Sequence, residues 1–197
     1  MAGRPREFDR DEALTRIQAT FWTHGYEGAS MADLVDATGL ASARLYAAFG
    51  SKEAMFRAAI ERYERGEGGF ADRALAEEPT ARQAVERMLR EAVEVYTAPH
   101  PRGCMVVSAA ATYSAANDQV REWLEGHRRD RTESIIERVR KAAADGEVPP
   151  DTDVQALGDA VAALLHGLSV QARDGVPRHR LLALIPLALT LFGPPPE

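Results

Sequence analysis

The chain has 197 residues, of which 45% are hydrophobic and 27% charged, with a net charge of −6. Its length and apolar content suit one large domain or a small one joined to a larger one, and its single cysteine, Cys104, excludes an intrachain disulfide and fits a reducing cytoplasm. The first twelve residues, MAGRPREFDRDE, are charged and lack an apolar stretch, so no signal peptide is expected, and the most apolar run, Leu181 to Phe192, is too short to span a bilayer as a helix.

In chain order the pattern is helical throughout. Residues 1–8 read as an arm, with Pro5 disfavouring an early helix. Asp9 to Thr23 reads as a first helix with Leu14, Ile17 and Phe21 on one face. Ser30 is an N-cap with Asp33 three residues on, as in a capping box, and Met31, Leu34 and Val35 give the second helix an apolar side. Gly39 supplies the turn. The third helix offers Leu40, Leu45 and Phe49 to a core and leaves Ser42, Ala43, Arg44, Tyr46, Ala47 and Ala48 outward. Two short helices about a glycine turn are the layout of a helix-turn-helix, and a small, arginine-bearing outer face suits base edges and phosphates. Ser51 to Arg65 reads as a fourth helix, carrying Phe56, Ala59, Ile60 and Tyr63 at helical spacing.

Gly66-Glu67-Gly68-Gly69 is a breaker cluster and the expected boundary between residues 1–65 and residues 66–197. Beyond it, Thr80 and Gln83 open a helix that runs to about Thr97, and Pro99 to Gly103 interrupts. The segment from Cys104 to Ser114 is apolar and expected to be buried. Asn117 to Ala144 forms a long helix with Val120, Trp123, Leu124 and His127 on one stripe, closed by Gly146 and Pro149-Pro150. Asp153 to Asp174 has a continuous apolar face that includes Leu164 and Leu168, and Pro177 to Phe192 is apolar nearly all round, with Pro186 expected to kink or open it.

The stretch FWTHGYEGASMADLVDATGLASARLYAAFGSKEAMFRAAIERY resembles the N-terminal domain of the TetR (tetracycline-repressor) family of transcriptional regulators. The matching features are Gly25-Tyr26 ending the first helix, the pair Leu45-Tyr46, and Phe49-Gly50-Ser51-Lys52-Glu53 opening the fourth. The match covers about the first third of the chain. The resemblance implies an all-α homodimer: an N-terminal three-helix DNA-binding domain braced by helix four, and a larger helical domain for effector binding and dimerisation. The two C-terminal helices of each subunit would form the intersubunit bundle. Double-stranded operator DNA and a small-molecule effector are the implied partners, with no membrane. The candidate DNA-contacting residues are Ser30, Ser42, Ala43, Arg44, Tyr46, Ala47 and Lys52, with Arg4 and Arg6 in the arm. Arg44 is the base reader, Tyr46 and Lys52 phosphate partners. Candidate pocket residues are Met88, Tyr96, Cys104, Met105, Tyr113, Trp123 and His166. Cys104 reads either as a sensor of oxidants or electrophiles or as a small packing residue; the second reading is preferred.

Charge alone is no guide to the DNA, because residues 1–65 hold nine Lys+Arg against ten Asp+Glu. The motif outweighs that balance. No P-loop, GxGxxG after a strand, GxSxG or HExxH occurs, and the five histidines lack metal-ligand spacing, so no catalytic residue, cofactor or metal is expected. Two alternatives remain at this level: a helical small-molecule-binding protein or enzyme on the same fold without DNA binding, and a dimerising module without a pocket. Enrichment of a palindrome from randomised DNA separates the first, and ligand-induced thermal shifts the second.

Overall fold

The computed structural model describes residues 8–99, 103–109 and 117–193. Among these every element is helical: α1 (Arg10–Gly28), α2 (Met31–Thr38), α3 (Ser42–Phe49), α4 (Lys52–Arg65), α5 (Phe70–Glu77), α6 (Ala81–Tyr96), α7 (Met105–Ser108), α8 (Asp118–Ala144), α9 (Val154–Arg173), α10 (Arg178–Leu182) and α11 (Leu184–Leu189). Short 3₁₀ turns precede α5 and follow α11.

The helix starts are set by side chains that occupy orphan backbone N–H groups. Asp9 accepts from the amides of Asp11 and Glu12. Ser30 Oγ accepts from Asp33 N at 3.1 Å, while Asp33 Oδ2 accepts from Ser30 N at 2.7 Å, completing the capping box. Thr80 and Asp153 cap α6 and α9 by accepting from Gln83 N and Ala156 N.

Three elements depart from the sequence expectation. The first helix continues to Gly28, but Gly25 sits at φ 72°, ψ 177°, so the helical path breaks there and resumes. A separate helix, α5, follows the glycine cluster directly. The C-terminal segment is two short helices rather than one. Pro186 has no N–H to return to the Leu182 carbonyl, and it lies in the first turn of α11, where no such donor is needed. Pro186 therefore opens the helix at Ala183.

Two apolar clusters organise the molecule. One joins Phe21, Leu34, Leu45, Phe56 and Ile60 of α1–α4 to Met105 and Val106 of α7 and Leu124 of α8. The other joins α5, α6, the second half of α8, α9, α10 and α11. Val95 and Cys104 pack against both, so they mark the seam. Leu168 is fully buried within the subunit and Leu164 half-buried, whereas Val170, Leu187 and Leu191 are exposed. Leu168 therefore belongs to the subunit's own core, α9 turning Leu165, Leu168 and Ala172 towards α6 and α8, while Leu164 lies between core and surface.

Candidate nucleic-acid interface and interior cavity

The α2–α3 turn is held by short-range bonds. Gly39, at φ 70°, donates to the Val35 carbonyl at 2.8 Å, and Thr38 Oγ1 accepts from Leu40 N. Leu45 and Phe49 anchor α3 in the core. Ser42, Ala43, Tyr46 and Ala47 lie exposed on its far side, with Tyr46 at 45%. Among the described residues no side chain caps the N-terminus of α3, whose first amides point where an anion could bind.

The cations beside this face are seated on aromatic rings. The Arg44 guanidinium carbon lies 5.0 Å from the Phe8 ring centroid, Arg10 4.6 Å from Phe49, and Lys52 Nζ 4.8 Å from Tyr26. Such contacts restrict long side chains, which lowers the cost of ordering them on an anion. Burial pushes the Lys52 ammonium below its ordinary value, opposed by the charges of Glu27 and Asp33. Lys52 opens α4 and is flanked by the capping Ser51, which accepts from Ala54 N at 3.0 Å. Ser30 spends its hydroxyl on Asp33, to which it also donates at 2.7 Å. Arg4 and Arg6 lie outside the described residues. Phe8 carries no periodic signal, being upstream of α1, and only its spatial neighbour Arg44 reveals its part.

A small cavity, open to solvent on one side, lies at the seam of the two clusters. Of the expected pocket residues, Tyr96, Cys104 and His166 line it. Met105 is buried among α1, α4, α7 and α8 without lining it, and Met88 belongs to the core around α6. Trp123 packs edge-on against Phe56 and His127, with Arg57 4.7 Å from its ring, at the α4–α8 junction. Tyr113 lies outside the described residues. The structure adds Tyr63, Arg128 and Arg131 to the lining. Tyr63 repeats with Phe56 and Ile60 as plain core, and the arginines sit among dense charges, so the sequence carried no sign of either.

The Gly103-Cys104 step ties this cavity to both ends of the molecule. Trp22 Nε1 of α1 donates to the Gly103 carbonyl at 3.0 Å, and Cys104 N donates to Ser169 Oγ of α9 at 2.7 Å. Gly103 has φ +65°, and a Cβ there would lie 2.6 Å from the Ser169 carbonyl oxygen, so no other residue fits without movement. Arg173 of α9 also donates to the Thr23 carbonyl at 3.1 Å.

A helix-turn-helix with an exposed small-residue face, flanked by ordered cations and joined to a helical body with a cavity, defines a DNA-binding regulatory protein. Residues 16–59 match the family model described as bacterial regulatory proteins, tetR family, and residues 81–180 match tetracyclin repressor-like, C-terminal domain. The HTH-type transcriptional repressor ComR of Escherichia coli (strain K12) is 32% identical over 192 residues, covering 96% of this chain and 91% of ComR. The HTH-type transcriptional repressor BdcR of the same organism is 28% identical, covering 94% and 90%. Cysteine-mutant CifR, a TetR family transcriptional regulator complexed with 26 bp double-strand operator DNA, superposes with a TM-score of 0.90 at 45% identity, covering 96% of this chain and all of that one. The chain belongs to the TetR family, and it is a DNA-binding transcriptional repressor. Among the described residues no helix is long and apolar enough to cross a membrane.

Proposed function

We propose that the protein acts in the cytoplasm as a homodimer on a palindromic operator and that a small effector in the seam cavity releases it. The observation that carries the DNA half is the outer face of α3, small and exposed at Ser42, Ala43 and Ala47 with Arg44 beside it. Short side chains let the helix enter the major groove deeply, and Arg44 supplies the long donor for guanine O6/N7. Tyr46 and Lys52 take phosphates, as does the open N-terminus of α3. Residues 1–65 serve as the DNA-binding unit and residues 66–197 as the effector-binding and dimerisation unit.

Release follows from position. The cavity wall at Cys104 is bonded to α9 through Ser169, and the adjoining Gly103 to α1 through Trp22. A ligand that displaces this wall favours one placement of α1 over another, and so shifts the population away from the DNA-competent state. Cys104 reads as part of that wall.

Selection from randomised duplexes tests the proposal. The expected product is a palindrome with half-sites about one helical turn apart, roughly 34–36 Å. An enriched single half-site, or no enrichment, refutes the dimeric operator. The same experiment separates this reading from a ligand-binding protein or enzyme that has kept the fold but lost DNA.

A further inference from the structure

We propose that the seam cavity takes a monocarboxylate, held by the Arg128 guanidinium and the Tyr63 hydroxyl. This rests on reading the cavity as the effector site and names the chemistry of that effector.

Among the described residues two buried polar atoms in the wall lack a well-formed hydrogen bond: Arg128 Nη1, and Tyr63 Oη, which has the Cys104 thiol and the Met105 backbone as polar neighbours. Buried donors are otherwise almost always satisfied, so each needs an acceptor. Tyr63 is only 2% exposed and cannot swing to water. Trp22 packs on its ring at 4.8 Å, and a Cβ on the adjacent Gly68 would come within 2.4 Å of that ring. Its position as a donor is therefore fixed. Burial also raises the Tyr63 and Tyr96 hydroxyls well above their ordinary value, so both stay protonated.

The charge count selects a single negative charge. Arg131 is matched by Asp72, its Nη2 donating to Oδ2 at 3.0 Å, and His127 Nδ1 lies 2.8 Å from Glu64. Arg128 remains the one lining cation without an ion pair among the described residues. The Arg128 residue is only half-buried, but its Nη1 is buried, and a buried N–H without an acceptor is costly until an anion joins it. A dianion would lack a second unmatched cation and would meet Glu64. A planar carboxylate matches the guanidinium fork and leaves an oxygen for the tyrosine. Phe70, Val106 and Leu165 line the remainder, which suits an apolar body on the acid.

Isothermal titration of the full chain with benzoate and hexanoate, against benzamide, hexanamide and inorganic phosphate, tests this. Either carboxylate should bind at least about tenfold more tightly than its amide, the scale of one charge-assisted hydrogen bond. Arg128→Met should bring that ratio to near one, Arg128→Lys should restore part of it, and Tyr63→Phe should weaken the carboxylate several-fold. The ligand-free Arg128→Met protein should melt at or above the wild-type temperature, because a buried N–H without an acceptor has been removed. Equal binding of acid and amide, a preference for phosphate, no binding by either acid, or unchanged affinity in Arg128→Met would each overturn the assignment. So would a fall of more than about 5 °C in ligand-free Arg128→Met, which would mean that the guanidinium is already satisfied. Operator anisotropy on the same samples separates the two readings. Carboxylate binding that leaves operator affinity unchanged keeps the site and refutes its role as effector site. Release by a neutral ligand that is as effective in Arg128→Met as in wild type keeps the effector role and refutes the carboxylate.

Discussion

Arg44 and Lys52 are both cations beside α3, yet the roles proposed for them differ. Arg44 stands on the outer face of the recognition helix and is held against Phe8, whereas Lys52 sits in the first turn of α4 against Tyr26. A base contact and a phosphate contact fail differently. Arg44→Ala should cost about 1–3 kcal/mol and relax preference at one position per half-site. Lys52→Ala should weaken all sequences alike and lower the salt slope by roughly one per subunit. Affinities for an operator panel at several salt concentrations check both, and unchanged preference in Arg44→Ala would move base readout elsewhere. A second residue-scale prediction concerns His166. Burial, and then the charge of Arg128, lower its pKa below the ordinary 6.5. Below that value the unfolded chain takes up a proton that the folded chain resists, so stability is complete above it and falls as pH drops towards the folded pKa. His166→Gln should flatten the acid side of a melting-temperature profile between about pH 5 and 7. A profile with the same slope would assign the acid sensitivity to other groups.

At the scale of elements, the Gly103-Cys104 step is the point where α1, α7 and α9 meet. Trp22→Phe keeps an aromatic ring near Tyr63 but leaves the buried Gly103 carbonyl without its donor. The expected loss is about 1–3 kcal/mol, the price of an unsatisfied buried group. That corresponds to a melting temperature lower by very roughly 2–10 °C for a chain of this size. Operator affinity should change little, while the ligand concentration needed for release should rise, because one of the links from cavity wall to α1 is gone. Release unchanged in the variant would show that the coupling runs through other contacts. The junction was not legible in the sequence, since its partners are 81 and 65 residues apart and nothing periodic connects them. The α2–α3 unit was, because Ser30, Asp33 and Gly39 act on neighbours within a few residues. Helix α5 escaped notice for the opposite reason: its N-cap is Gly69, which has no side chain to mark it, and it spans only eight residues. Pro186 announced a fault in the last helix, but its location in α11's first turn, which opens the chain at Ala183, needed the structure. Site residues divide along the same line. The exposed face of α3 follows from helical spacing, whereas the seat of Arg44 on Phe8 and the placing of Tyr63 and Arg128 in one cavity wall depend on how distant segments pack.

For the whole molecule, the proposed homodimer requires a surface that brings two copies together. Val170, Leu187 and Leu191 are 51%, 66% and 52% exposed, and together with Tyr46 they are the large apolar residues left in solvent among the described residues. All three belong to the C-terminal segments, in α9, α11 and the turn after it. Along α9 the exposed positions Ala156, Ala160 and Ala163 are small, which lets a second helix approach closely. Exposed apolar side chains gathered in one part of a chain mark an interaction surface rather than scatter. Their pairing about a two-fold axis would give the self-complementary contact that most homodimers use. The joint change Leu187→Glu and Leu191→Glu should therefore yield folded, soluble monomers by light scattering, with operator affinity reduced to that of one half-site. Leu168→Glu should behave differently. That position is fully buried against the subunit's own core, so a carboxylate there is desolvated without a partner, and the expected result is loss of soluble folded protein. If the Leu187 and Leu191 double variant is still a dimer with wild-type operator affinity, the C-terminal helices are not the interface. The exposed α8 flank beside α9 would then be the next surface to mutate.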